Sequence, residues 1–214
     1  LLGAGLWNIA SSNIINSEID DDQPLIQSRV DPHTGTLELM IYMEDRDHIF
    51  YDVVTELSNS EVDIVGAQIL RTTDGNALEM FRMIPVNPTH ADMEACSMQI
   101  IDRVRFRLMN RVEAENMALN SSRKHRFFSS PTEIKFSNST DDSYTEVKIE
   151  TLDRTGVLAN IAKVFNDYGV RIVDARINTV GETAIDYFTV TTQEDTVLDD
   201  ALIDTVRTRL LESL

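Results

Sequence analysis

The stretch Asp153-Arg154-Thr155-Gly156-Val157-Leu158 joins a strand-like run to a helix-like run, and it is the part of this chain best suited to hold a small ligand. Gly156 has no side chain, so a ligand can approach the first helical N–H groups closely. Those groups and the helix dipole suit a carboxylate, such as that of a free amino acid. Asp153 can then accept from the ligand's ammonium group. A plainer account of the same residues is that Asp153 or Thr155 caps the helix and Gly156 eases a tight turn. Turn chemistry alone favours the plainer account. A second stretch, Asp45-Arg46-Asp47-His48-Ile49-Phe50, has the same layout with His48 in the glycine's place. The β-carbon of His48 should crowd the same approach, so the 153–158 turn is the better candidate.

Other chemistry is poorly represented. The chain has no Gly-x-x-x-x-Gly-Lys, Gly-x-Gly-x-x-Gly, Gly-x-Ser-x-Gly or His-Glu-x-x-His. His90, Asp92, Glu94 and Cys96 fall two apart at an expected helix start, a spacing that points them around the axis rather than at one ion. No metal site and no catalytic residue is expected. Arg103, Arg105, Arg107 and Arg111, then Arg123, Lys124, His125 and Arg126 with Phe127 and Phe128, form the one basic stretch. It reads either as a docking strip for acidic surfaces, the chain's own included, or as a solvated helix face running into a linker; the solvated face is preferred. The net charge of −17 opposes binding to nucleic acid or to an anionic membrane. Asp20-Asp21-Asp22 is read as a solvated run. Cys96 is the single cysteine, which excludes an internal disulfide and fits a reducing, cytoplasmic setting. The apolar opening, Leu1 to Ala10, is far shorter than the ~20 residues of a membrane span.

The elements that position these turns come in two copies. Asp45 to Phe50 aligns with Asp153 to Leu158, and the register of 108 holds through Val53/Ile161, Leu57/Phe165, Val62/Val170, Ile64/Ile172, Ala67/Ala175 and Ile69/Ile177. After one deletion the register is 107, pairing Ala77 with Ala184, Glu79 with Asp186 and Phe81 with Phe188. Each copy begins with an alternating strand: Leu37, Leu39, Ile41 and Met43 against Glu38, Met40, Tyr42 and Glu44, and Val147, Ile149 and Thr151 against Glu146, Lys148 and Glu150. Each of these strands should bury one face. A helix follows, with stripes Ile49, Phe50, Val53, Val54, Leu57 and Val157, Leu158, Ile161, Ala162, Phe165. Next come paired strands over 62–71 and 77–86, turning at Thr73-Asp74-Gly75-Asn76, and over 171–179 and 183–192, turning at Gly181. A closing helix has the inner face Met93, Ser97, Ile100, Ile101, Val104, Leu108 and Val112 in the first copy. In the second, the inner face is Leu198, Leu202, Val206, Leu210 and Leu214.

Residues 23–30 and 131–137 supply a leading strand to each copy. The predicted order is therefore ββαββα in both, a permuted ferredoxin-like α+β sandwich with a four-stranded antiparallel sheet and two helices. The extra strand covers an edge that would otherwise be bare. The domains expected are a connector over 1–22, a first unit over 23–112, a linker over 113–130 and a second unit over 131–214. Side-by-side pairing of the two sheets would place the 153–158 turn against the neighbouring copy's second strand.

The combination Asp-x-x-Gly-Val-Leu, an amphipathic helix, Val173-Asp174-Ala175-Arg176-Ile177 and Ala184-Ile185-Asp186-Tyr187-Phe188 resembles the ACT domain, a family of small modules that bind amino acids. The tandem further resembles the C-terminal ACT pair of the bacterial bifunctional uridylyltransferase/uridylyl-removing enzymes. The stretches that carry this likeness are 63–69 with 73–78, 125–134 and 175–182. The resemblance implies that the parent attaches UMP to, and removes it from, the PII nitrogen-signalling protein, with glutamine as effector. It implies nucleotidyltransferase and hydrolase domains upstream, the parent using magnesium, and no cofactor in this segment. Carried over, the ligand-binding residues are Asp153, Arg154, Thr155, Gly156, Val157 and Leu158, with Asp174 on the adjoining strand. Asp45, Arg46, Asp47 and His48 are the weaker set, because His48 departs from the glycine-bearing pattern. The partners implied are glutamine, PII, the upstream domains and the other ACT unit. The alternatives are an interaction module for PII docking or self-association, with Met40 and Met80 on an exposed sheet face, and the ACT pair of another amino-acid-regulated enzyme.

Overall fold

Among the described residues, alternating apolar residues build eight strands, and helical stripes build four helices that cover them. The structure, a computed structural model, describes residues 23–31, 34–60, 62–72, 75–86, 92–110, 132–140 and 142–214. In chain order the first unit has β1 (Leu25–Asp31), β2 (Thr36–Glu44), α1 (Ile49–Ser58), β3 (Val62–Arg71), β4 (Asn76–Pro85) and α2 (Asp92–Asn110). The second has β5 (Glu133–Asn138), β6 (Thr145–Leu152), α3 (Val157–Asp167), β7 (Arg171–Val180), β8 (Thr183–Thr191) and α4 (Asp200–Ser213). Both are ββαββα. The connector over 1–22, Thr73, Asp74, His90 and the linker over 113–130 lie outside the described residues.

The two four-stranded sheets are not separate. They fuse into one eight-stranded sheet of order β1-β2-β4-β3-β7-β8-β6-β5, every neighbour antiparallel. At the fusion Ala67 pairs with Ile177 and Ile69 with Ala175. Since equivalent residues lie 108 apart, each of these pairs is the other's image, and a pseudo-two-fold axis passes by Gln68 and Arg176. The bulges agree with that symmetry, falling at Ile64/Gly66 in β3 and Ile172/Asp174 in β7. The inward strand residues and the helix stripes form one continuous core, in which Phe50 stacks with Phe81 and Phe165 meets Phe188 edge-on. Helix α1 packs on α2 and on α3, and α3 on α4, so the helical layer also runs across the junction.

Two expectations are corrected here. Strand β2 does not have one buried face: residues Leu37 to Tyr42 are all buried. Met40 is fully covered and Met80 is only 8% exposed, so neither sits on an open sheet face. Glu38 is buried between Arg29 and Arg82, its Oε1 taking Nε of Arg82 at 3.3 Å. The cause is a second apolar cluster on the outer face, Met40, Tyr42 and Met80 with Leu25, Leu70 and Leu78 around them.

The basic face of α2 is not solvated throughout either. Arg103 reaches Glu56 at 2.7 Å and Arg107 reaches Asp52 at 3.4 Å, so both clamp α2 to α1. Both answer the chain's own acidic residues; Arg103 stays exposed, whereas Arg107 is buried, where an ion pair is a cheaper fate for a guanidinium than isolation. Arg111 and residues 123–128 lie outside the described residues.

His48 begins α1 with φ +71, and Gly156 begins α3 with φ +87. A left-handed backbone costs a non-glycine residue ~1–2 kcal/mol. His48→Gly should therefore stabilise the protein by up to ~1 kcal/mol, after the larger unfolded-state entropy of glycine is subtracted. Urea unfolding of the two forms measures this directly.

Candidate functional site at the junction of the two units

The antiparallel pairing of β3 with β7 brings each strand-to-helix turn beside the strand by which the other unit joins the fused sheet. At the second turn, Thr155 Oγ1 donates to Asp63 Oδ1 on β3 at 3.5 Å. At the first, Asp45 Oδ2 meets Arg171 Nη2 at the start of β7 at 2.8 Å. Asp63 and Arg171 are themselves equivalent positions, 108 apart. Both turns are anchored alike: Asp45 N–H donates to Gly75 O at 3.0 Å and Asp153 N–H to Glu182 O at 2.8 Å.

The two turns share a backbone and differ in charge. The first is filled by its own ion pairs: Asp45 bridges Arg71 at 3.1 Å and Arg171 at 2.8 Å, and Arg171 also reaches Asp195 at 2.8 Å. Arg46, the next residue, turns inward to Asp52 at 3.2 Å and to the carbonyl of Leu108 at 3.3 Å. The second turn has Asp63 where the first has Arg171, and Thr179 where the first has Arg71. The Asp153 carboxyl is accordingly pushed above its ordinary value, mainly by burial and then by the charge of Asp63, against hydrogen bonds from Thr179 and the Arg154 amide. Like charges that raise one another's pKa favour a cation nearby.

The capping account fails on geometry. The N-cap position of α3 is Gly156 itself, and no side chain caps that end; Asp153 accepts from the amide of Arg154, and Thr155 turns to Asp63. The other half of that account holds, since Gly156 has the positive φ that favours glycine. A β-carbon there would meet nothing within 4 Å among the described residues, so the backbone favours the glycine and leaves open space above the turn. Val157 and Leu158 point into the core and can line a site only through their backbone. Asp174 lies at the β7 bulge, and Arg176 Nε comes within 3.8 Å of it. Asp174 does not join the turn's hydrogen bonds among the described residues.

A concave pocket is formed at the first turn. Its walls come from Asp45 to Tyr51, from Arg71 and Glu79, and from Phe165, Asn166 and Arg171 of the other unit. Glu79 was not among the candidate residues, although its signal was present: Ala-x-Glu-x-Phe over 77–81 recurs as Ala-x-Asp-x-Phe over 184–188, an acid at an inward position in both copies. Glu79 is 2% exposed and Asp186 1%, and each has a carboxyl oxygen without a hydrogen-bond partner. Burial pushes Glu79 up to about 8, helped by the charges of Asp45 and Asp52. Burial pushes Asp186 up to about 7, against a backbone hydrogen bond from Asn178.

Sequence relatives share one printed name. Over 209 residues, 95% of this chain, it is 31% identical to the bifunctional uridylyltransferase/uridylyl-removing enzyme of Idiomarina loihiensis, of which it covers 23%. Nearly the whole of this chain is thus similar to one part of that enzyme. The like-named enzymes of Hydrogenovibrio crunogenus and Haemophilus influenzae are 30% and 25% identical over 79% and 84% of the chain, covering 19% and 21% of their own lengths. The chain thus spans about a fifth of these uridylyltransferases/uridylyl-removing enzymes. No protein-family model matches it. A likeness to an aspartate kinase from Synechocystis, 14% identical over 82% of this chain and 26% of that one with a TM-score of 0.41, carries no weight. Among the described residues no helix is long and apolar enough to cross a membrane, and no group of three potential metal ligands forms.

Proposed function

We propose that the tandem is the C-terminal amino-acid sensor of a uridylyltransferase/uridylyl-removing enzyme, with glutamine as effector. Its role would be to set the balance between uridylylation and deuridylylation of PII by catalytic domains elsewhere in the parent. What supports this reading is that each turn contacts the strand by which the other unit joins the fused sheet, Thr155 reaching Asp63 on β3 and Asp45 reaching Arg171 on β7. A ligand at a turn therefore touches both units, and its differential affinity for their arrangements is what can shift them. The second turn is the assigned site: the open helix start above Gly156 receives the carboxylate, and Asp153 with Asp63 receives the ammonium. Asp45 already occupies the guanidinium groups at the first turn, so one glutamine per chain is expected.

Calorimetric titration of the chain with glutamine, with glutamate and leucine as controls, tests this. Heat from glutamine alone at one site per chain is expected. Gly156→Asn tolerates the left-handed backbone while placing a side chain over the helix start, and it should abolish that heat in a folded protein. Undiminished affinity would remove the site. Binding should also weaken on acidification, and earlier than for an ordinary aspartate, because Asp153 must be ionised and its pKa is raised. No heat with any of the three ligands would favour the interaction-module reading.

A further inference from the structure

The outer face of the first unit's sheet is covered, yet no described element covers it. Met40 is fully buried, Tyr42 is 6% exposed and Met80 8%. The cluster they form contains side chains of β1 to β4 only, all on the face away from the helices. An uncovered sheet face leaves such side chains in water, and the second unit demonstrates this. The residues at the same places there are Lys148, Glu150 and Tyr187, and Tyr187 is 48% exposed. Leu25 and Leu70 correspond likewise to Glu133 and Asn178. The fold does not require an apolar outer face, since one copy manages without it. The first copy's face is built for a contact.

We infer that the occupant is the chain's own residues 1–22. This segment runs directly into β1, whose first residue, Leu25, already belongs to the rim of the cluster. It carries Leu2, Leu6, Trp7 and Ile9, an apolar set at helical spacing sufficient to cover three side chains. The alternative segment, residues 111–131, is rich in arginine and lysine and leads into β5, the edge strand at the opposite end of the sheet. The stretch that enters the tandem is therefore seated on the first unit, and it would move with that unit rather than act as a loose tether. This inference is independent of glutamine binding.

Trp7 is the chain's single tryptophan and reports on the contact. Its emission in the unaltered chain should be blue-shifted from that of free indole in water and protected from acrylamide quenching. Met80→Lys, which brings the first unit's face closer to the charged second, should shift the emission to the red and raise quenching, with far-UV circular dichroism retained. Leu6→Asp alters only the segment, so it tests the contact even where Met80→Lys fails to fold, and it should produce the same shift. A water-exposed Trp7 in the unaltered chain, or emission unchanged in both variants, would overturn the inference. A blue shift lost on dilution would overturn it too, by making a second copy the occupant.

Discussion

Asp52→Ala should lower the unfolding free energy by about 3 kcal/mol, because it strands a buried cation. Asp52 sits on α1, 8% exposed, and accepts from Arg107 of α2 at 3.4 Å and from Arg46 at 3.2 Å. Arg107 is equally buried, and after the substitution its remaining acidic neighbour is Glu56 at 3.8 Å. The loss therefore has two parts, a missing attraction and an uncompensated guanidinium, and the second is the larger. Asp52→Leu combined with Arg107→Met separates them. Removing both charges and filling the space with apolar atoms should recover most of the stability, as expected where desolvation of a buried pair rivals its attraction. Urea unfolding of the single and double variants gives the coupling. A double variant as unstable as Asp52→Ala would mean that the pair contributes beyond its own desolvation.

The second large effect concerns pH. Glu79 and Asp186 have folded-state values of about 8 and about 7, against ordinary values of 4.5 and 3.8. A raised carboxyl value means that the folded state holds the proton where the unfolded chain has released it. Below the ordinary values both states are protonated and nothing is gained or lost. As pH rises through the window up to about 7 or 8, the folded state is progressively penalised, and above it the full penalty remains. For Glu79 the span corresponds to about 2–5 kcal/mol. Glu79→Gln removes the titration. The variant should match or trail the unaltered protein near pH ~5, where Glu79 is neutral, and exceed it near pH ~8.5. Parallel stability curves from chemical denaturation across that range would show that Glu79 ionises like an exposed acid.

Much of the fold was legible because it depends on local period and on repetition. The apolar stripes of α1 and α3 and the span of β3 lie where the alternation put them, since burying one face fixes a helical or strand period independently of partners. The leading strands were readable from the second copy as much as from the first. What failed was β2: Met40 and Tyr42 alternate with Leu39 and Ile41, and alternation between two apolar sets does not say whether one face or both are covered. Arg107 failed for a related reason, because a charge run looks the same in water as against a facing acid.

The candidate site divides along the same line. The turn 153–158, its glycine and its relation to 45–50 are properties of the sequence alone, as is the acid repeated at 79 and 186. The junction is tertiary. Only the pairing of β3 with β7 sets Asp63 beside the second turn and Arg171 beside the first, making one end acidic and lining the other with ion-paired arginines. Residues 90 or more apart meet there because two sheet edges annul their unpaired N–H and C=O groups by joining, and no local pattern encodes which residue will lie opposite.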